Sequence, residues 1–271
     1  MDVTFFWIAF WLYFAGFLLF TLFVAFKSPR VGRLGSGAMI LGFLPHTAAI
    51  GLRWILSTHP PCSNMYEYMS LMSWMAVLAF LFVIARFKKV IVGAFVAPIT
   101  FMLMVAASVL PKDMTQQLMP ALQSIWLQIH VFLAAAGEGA FAVAFGVSLM
   151  YLAGKRLQSS KLTELARRFP SLELLDEINY KAVSIGFPLF TVGALFAGAI
   201  WAHYAWGSFW SWDPKETGSL IVWLFYAVYL HARRQARWRG TRAAWMSILG
   251  FVAAMLSFFA NMVVGGEHGY T

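Results

Sequence analysis

The side chains best suited to chemistry in this sequence are three tryptophans crowded into WGSFWSWDPKE, residues 206–216, and six histidines spread along the chain. Trp206, Trp210 and Trp212 lie within seven residues, with Phe209 between them. An interfacial aromatic belt accounts for a single tryptophan at the headgroup level. Three of them with a phenylalanine, beside small glycyl and seryl residues, predict instead a shelf for a large flat apolar ligand such as a porphyrin. Trp206 and Trp210 are four apart, so they share a face if the segment is helical. Asp213 is a good N-cap, Pro214 fits the first helical position, and Glu216 stands three after Asp213 as in a capping box. DPKE therefore predicts the start of a helix. Its free amide ends favour an anionic group such as a propionate, with Lys215 as counter-ion.

The histidines sort by depth. His130, in LQSIWLQIH, sits near the outer end of a long apolar stretch, and His268, in GGEHGY, lies just beyond the last one. His59 and His203 are also assigned to the outer side. His231 follows Asp213 by eighteen residues, which at a helical rise of about 1.5 Å places it about 27 Å away, near the inner surface. His46 is read as a packing residue within the second apolar stretch. Imidazole is an ordinary axial ligand of haem iron, and ionisable groups within a membrane are costly and usually functional. Two histidines converging beside the tryptophans would bind a haem, though spacing alone does not say which outer pair does so. The lone Cys62 excludes an internal disulfide, a CxxC redox pair and a self-attached c-type haem.

The elements that must position these groups are membrane helices. The chain has 271 residues, 61% hydrophobic and 11% charged, with mean hydropathy +0.72. Soluble domains are about 45–50% apolar and about 25% charged, so a soluble enzyme, a disordered chain and a secreted disulfide scaffold are excluded. A spanning helix needs about 20 apolar residues. Eight stretches qualify, near 3–26, 37–57, 66–85, 90–110, 124–154, 182–206, 216–232 and 242–264. The first lacks the basic leader and cleavage site of a signal peptide. Basic residues mark the inner connections: Lys27, Arg30 and Arg33; Arg86, Lys88 and Lys89; Lys155, Arg156, Lys161, Arg167, Arg168 and Lys181; Arg233, Arg234, Arg237, Arg239 and Arg242. Only Arg53, Lys112 and Lys215 remain for the other side, so the +9 net charge needs no nucleic acid. The expected fold is an all-α, polytopic bundle of about eight transmembrane helices, one membrane domain over 1–271, with both termini outside and the external Trp-rich segment at 206–216. A short amphipathic helix around Leu172–Ile178 is expected to lie on the inner membrane surface.

Residues 206–233, WGSFWSWDPKETGSLIVWLFYAVYLHAR, resemble the tryptophan-rich "WWD" segment of the haem-handling proteins of cytochrome c maturation. The continuation WDPKET is similar to the CcsA (ResC-type) subunit of the system II cytochrome c synthase, whereas the system I proteins CcmC and CcmF usually continue differently. His46–Trp54 with Pro61–Tyr68, Pro120–His130 and Val263–Tyr270 agree with the same family. The resemblance implies that His130 and His268 are external axial ligands of haem, and that His231 holds haem on its way across with a histidine from a CcsB/ResB-type partner. Trp206, Trp210, Trp212 and Asp213 match the WWD core. It further implies haem b as transported substrate, apocytochrome c as acceptor, and a bacterial plasma membrane location with the active face outside; no residue in the sequence is an obvious acid or base catalyst. Two rival readings differ in class. One is a haem-binding regulator or scaffold of the HemX type without synthase activity. The other is a transporter or channel, which would need intramembrane acidic relays, and Glu138 alone lies deep in a predicted helix.

Overall fold

A computed structural model describes residues 1–26, 28–114, 117–158 and 169–264, with side chains described through Phe259. All regular structure among them is helical. In chain order the helices are α1 (Asp2–Phe26), α2 (Pro29–Ser57), α3 (Met65–Phe87), α4 (Gly93–Ser108) and α5 (Ile125–Gln158). There follow α6 (Leu172–Phe190), a π-helical segment (Thr191–Ala197) that leads without a break into α7 (Gly198–Trp206), then α8 (Pro214–Arg234) and α9 (Thr241–Val264). Seven helical stretches among the described residues are long and apolar enough to cross a membrane, with α6, the π segment and α7 counted as one stretch of 35 residues. The eighth expected span, α8, falls outside that set. Lys215 and Glu216 at one end and His231, Arg233 and Arg234 at the other leave it only an apolar middle.

Two boundaries differ from expectation. Helix α2 starts at Pro29, not near residue 37, because proline at the first helical position opens it and Gly32 and Gly35 pack on Phe23 and Phe20 of α1. The Leu172–Ile178 segment does not form a separate surface helix. It is the first part of α6, capped by the Ser171 side chain, with Leu175 and Ile178 fully buried. Polar groups hold it in the bundle: Tyr229 Oη donates to Asn179 Oδ1 at 2.5 Å, Asn179 Nδ2 to Ser148 Oγ at 2.6 Å, and Arg233 pairs with Asp176 at 2.6 Å.

Helix α5 is the central post, packed by α3, α4, α6 and α9. Apolar side chains gain little by leaving lipid, so helices in a membrane associate through close backbone packing at small residues. That is the geometry here. A Cβ added at Gly137 would meet Phe190 N at 2.8 Å and Gly186 O at 2.9 Å, and one added at Gly193 would meet Ala134 N at 2.5 Å. His46 serves as packing glue, as the sequence predicts: it is fully buried, with Nδ1 3.2 Å from Tyr13 Oη and Nε2 3.0 Å from Ser70 Oγ.

The end of the bundle that carries the Trp-rich connection is tied by Arg53, only 3% exposed. Its Nε donates to Glu67 Oε1 at 2.6 Å and Nη1 to Asp2 Oδ2 at 3.0 Å and to the Lys112 carbonyl at 3.1 Å. Nη2 donates to the Asp113 carbonyl at 2.7 Å. Glu67 Oε2 in turn accepts from Ser63 N and Oγ, each at 2.8 Å. One guanidinium thus joins α1, α2, α3 and the α4–α5 connection, and through Glu67 the α2–α3 connection. A buried charge is tolerated when its hydrogen bonds are satisfied in this way.

Replacing Gly137 with Val should force α5 from α6 and cost about 1–3 kcal/mol of stability through overpacking. Thermal unfolding of the detergent-solubilised protein should show the loss, and a transition at the unsubstituted temperature would contradict the close contact.

Candidate functional site

The site is assembled around His130, in the second turn of α5. Its Nδ1 lies 2.9 Å from the Gly193 carbonyl in the π segment. That carbonyl also accepts from Gly198 N five residues on, the π-helical pattern. Widened turns of this kind recur at functional sites. Because a carbonyl only accepts, the proton must reside on Nδ1, and the lone pair of Nε2 is left for another partner. Metal-ligating histidines commonly donate their other ring N–H to a carbonyl in this way, so His130 could hold a metal. The ring is further held by Trp201, stacked at 5.9 Å between centroids with 15° between planes, whose own Nε1 donates to the Ala121 carbonyl at 2.8 Å.

Three small recesses meet here, and His130 and Lys215 line all of them. The first is walled by Cys62, Ser63, Asn64, Tyr68 and Trp201. The second descends past Ala134 to Glu138, whose Oε2 accepts from Tyr68 Oη at 2.6 Å. The third is closed by Ala194, Gly198, Trp210 and Glu216. Tyr68 stacks on Phe258 of α9 at 5.4 Å, and the Lys215 ammonium lies 5.8 Å from the Tyr68 ring.

The tryptophans do not form one helical shelf. The helix ends at Trp206, where Gly207 turns left-handed at φ 81°, so Trp206 and Trp210 cannot share a face by helical spacing. Instead Trp206 meets Trp201 edge-on at 5.0 Å, while Trp210 meets Trp212 edge-on at 5.8 Å. Trp212 is left-handed at φ 60° and 70% exposed. Asp213 caps α8 as expected, accepting from Lys215 N at 2.8 Å, with Pro214 first in the helix. Glu216 does not complete a capping box with Asp213. Its Oε2 accepts from Ser211 N at 2.7 Å and Ser211 Oγ at 3.2 Å, two residues further back, where the left-handed Trp212 turns the chain.

The other histidines fall elsewhere. His231 is exposed in the last turn of α8, where Ile221, Leu224 and Val228 are exposed too. His203 stacks on Phe209 at 4.2 Å, and His59 Nδ1 lies 3.0 Å from the Pro60 carbonyl. His268 lies outside the described residues. Trp201, Tyr68 and the Gly193 carbonyl are the site residues that sequence reasoning missed. Trp201 was detectable as a fourth tryptophan five residues before Trp206, and Tyr68 ends the PCSNMYEY motif, but no sequence pattern announces a π turn.

Among the described residues, membrane-length apolar helices that bring an imidazole and two tryptophans to adjoining recesses define a helical membrane protein. The family described as cytochrome C assembly protein matches residues 62–268, and the chain belongs to it. It is similar to the cytochrome c biogenesis protein CcsA of Guillardia theta, 35% identical over 264 residues that cover 90% of this chain and 87% of the relative. The CcsA proteins of Prochlorococcus marinus (strain NATL1A) and Synechocystis sp. are 36% and 32% identical over 94% and 93% of this chain and 91% and 94% of theirs. Among solved structures, cytochrome c heme lyase CcmF superposes with a TM-score of 0.73 at 19% identity, covering 96% of this chain and 46% of that one, which shows a shared fold.

Cys62 borders the same recess as His130, yet burial, with Glu67 nearby, pushes its thiol up to about 12. A raised value keeps the thiol protonated at neutral pH, and the thiolate is the nucleophile. Maleimide labelling of the folded protein at pH 8 should therefore run about a thousandfold slower than for a free cysteine, and quicken as pH rises toward 12. Labelling at the free-thiol rate would show an open, polar surrounding.

Proposed function

We propose that this chain is the membrane subunit of a cytochrome c synthase: it takes haem across the membrane and presents it at the outer face for thioether attachment to the CxxCH segment of apocytochrome c. The observation that carries this reading is the posture of His130, whose Nδ1 is bound to the Gly193 carbonyl and which lines recesses bordered by Trp201, Trp210 and Lys215. Helix α8 makes the eighth crossing in this arrangement, supported by its exposed apolar Ile221, Leu224 and Val228 and by the basic residues that cluster on one side. Both termini then face outward, in a bacterial plasma membrane or its equivalent.

His231 receives haem b on the inner side together with a histidine of a CcsB/ResB-type partner; its exposure on the bundle surface suits a ligand shared between two chains. At the outer side His130 and His268 ligate the iron from opposite faces. The WWD residues hold the rim of the ring: Trp206 backed by Trp201, Trp210 inside the recess, Trp212 outside it, and Asp213 fixing the start of α8. Haem supplies the reactive vinyl carbons, to which the two substrate thiols add. The chain contributes orientation and exclusion of water. Two strong imidazole ligands keep the iron from oxygen, and the histidine of CxxCH replaces one of them when product leaves.

The full chain purified with haem should show a six-coordinate, low-spin ferrous spectrum. Replacing His130 and His268 together with Ala should weaken haem retention at least about tenfold, with added imidazole restoring the spectrum. A protein that stays colourless with haem overturns the proposal. Co-expression with a CcsB-type partner in a host lacking its own pathway should yield covalent cytochrome c. Haem bound without any thioether, even with the partner, would assign the chain to the HemX-type regulators instead.

A further inference from the structure

The recess closed by Trp210, Lys215 and Glu216 contains two buried polar atoms that have no hydrogen-bond partner among the described residues: Trp210 Nε1, a donor, and Glu216 Oε1, an acceptor. Each such orphan is expensive in an apolar surrounding, and natural structures leave few of them. The other polar groups here are already engaged. Asp213 caps Lys215 N, Glu216 Oε2 is taken by Ser211, and Glu138 Oε2 by Tyr68. The Lys215 ammonium lies over the face of Tyr68 and makes no ion pair among the described residues.

One donor, one acceptor and one cation at a single recess match one chemical group, a carboxyl. Resting on the haem-binding function proposed above, we infer that Trp210, Lys215 and Glu216 form a carboxyl-binding subsite that takes one propionate of the porphyrin beside His130. The carboxyl accepts from the indole N–H and the ammonium through one oxygen, and its other oxygen shares a proton with Glu216 Oε1. With that proton the three groups sum to zero charge, as a site with little water requires. The single proton also removes the repulsion between two carboxylates. The subsite distinguishes a porphyrin acid from its ester and fixes the rotation of the ring about the iron–His130 axis, which decides which vinyl edge faces outward.

The test compares haem with haem dimethyl ester, which keeps the ring, the iron and the vinyl groups but can no longer donate a proton or carry a negative charge. Absorbance titration of the full chain in detergent should show haem binding at least about tenfold more tightly than the diester. Trp210→Phe keeps an aromatic ring and removes the N–H, and Lys215→Met removes the charge. Each should weaken haem about five- to tenfold and the diester by less, so that the preference shrinks. Equal affinity of the unsubstituted chain for acid and ester overturns the subsite, as does a preference that survives both substitutions. Because the comparison begins with the unsubstituted chain, it stands even where a variant fails to fold. A chain that binds neither compound overturns the haem-binding function itself, a result distinct from haem binding without preference.

Discussion

The structure depends on how closely α5 approaches the helix formed by α6, the π segment and α7. Without the push of water on apolar surface, that approach needs side chains small enough for backbones to touch. Gly137, Gly186 and Gly193 provide it, and a single methyl at any of them would strike the opposite helix. The same approach brings the Gly193 carbonyl within 2.9 Å of His130. Packing and site are therefore one arrangement: the residue that lets the helices meet is also the one that orients the imidazole.

The second organising feature is the division of labour among polar groups in an apolar medium. Those in the half of the bundle with α6 and the far end of α8 serve cohesion, as in the Tyr229–Asn179–Ser148 chain and the Arg233–Asp176 pair. His46, with both ring nitrogens engaged, also serves cohesion. The polar groups around His130 differ, because several have capacity left over. His130, Trp210 Nε1 and Glu216 Oε1 lie at one set of recesses, beside the Lys215 cation. A membrane protein keeps such groups where a ligand meets them.

Much of this was legible in the residues. Apolar length located the spans, because a bilayer imposes about 20 residues on any helix that crosses it. The DPKE start of α8 was readable because capping is local chemistry. The failures were mostly non-local. Leu172–Ile178 reads as an amphipathic surface helix, but nothing nearby in sequence reveals that Arg233 and Tyr229 of α8 draw it into the bundle. Trp206 and Trp210 share a face by spacing alone, until Gly207 ends the helix between them. Arg53 reads as one of three outer charges, whereas it gathers Asp2, Glu67 and the 112–113 carbonyls from distant parts of the chain. His130 was identifiable by type and depth, but its direction came from a π turn, which is set by tertiary packing.

The His130–Gly193 hydrogen bond has one more result. The acceptor is main chain in the middle of a helix wedged against α5, so the ring is bolted at one nitrogen and clamped on one face by Trp201. The ring is thus fixed by the backbone at one atom and by an indole at one face. Under the proposed function, exchange of ligands at the iron would then fall to the face opposite His130, and the order of unloading would be written into the backbone.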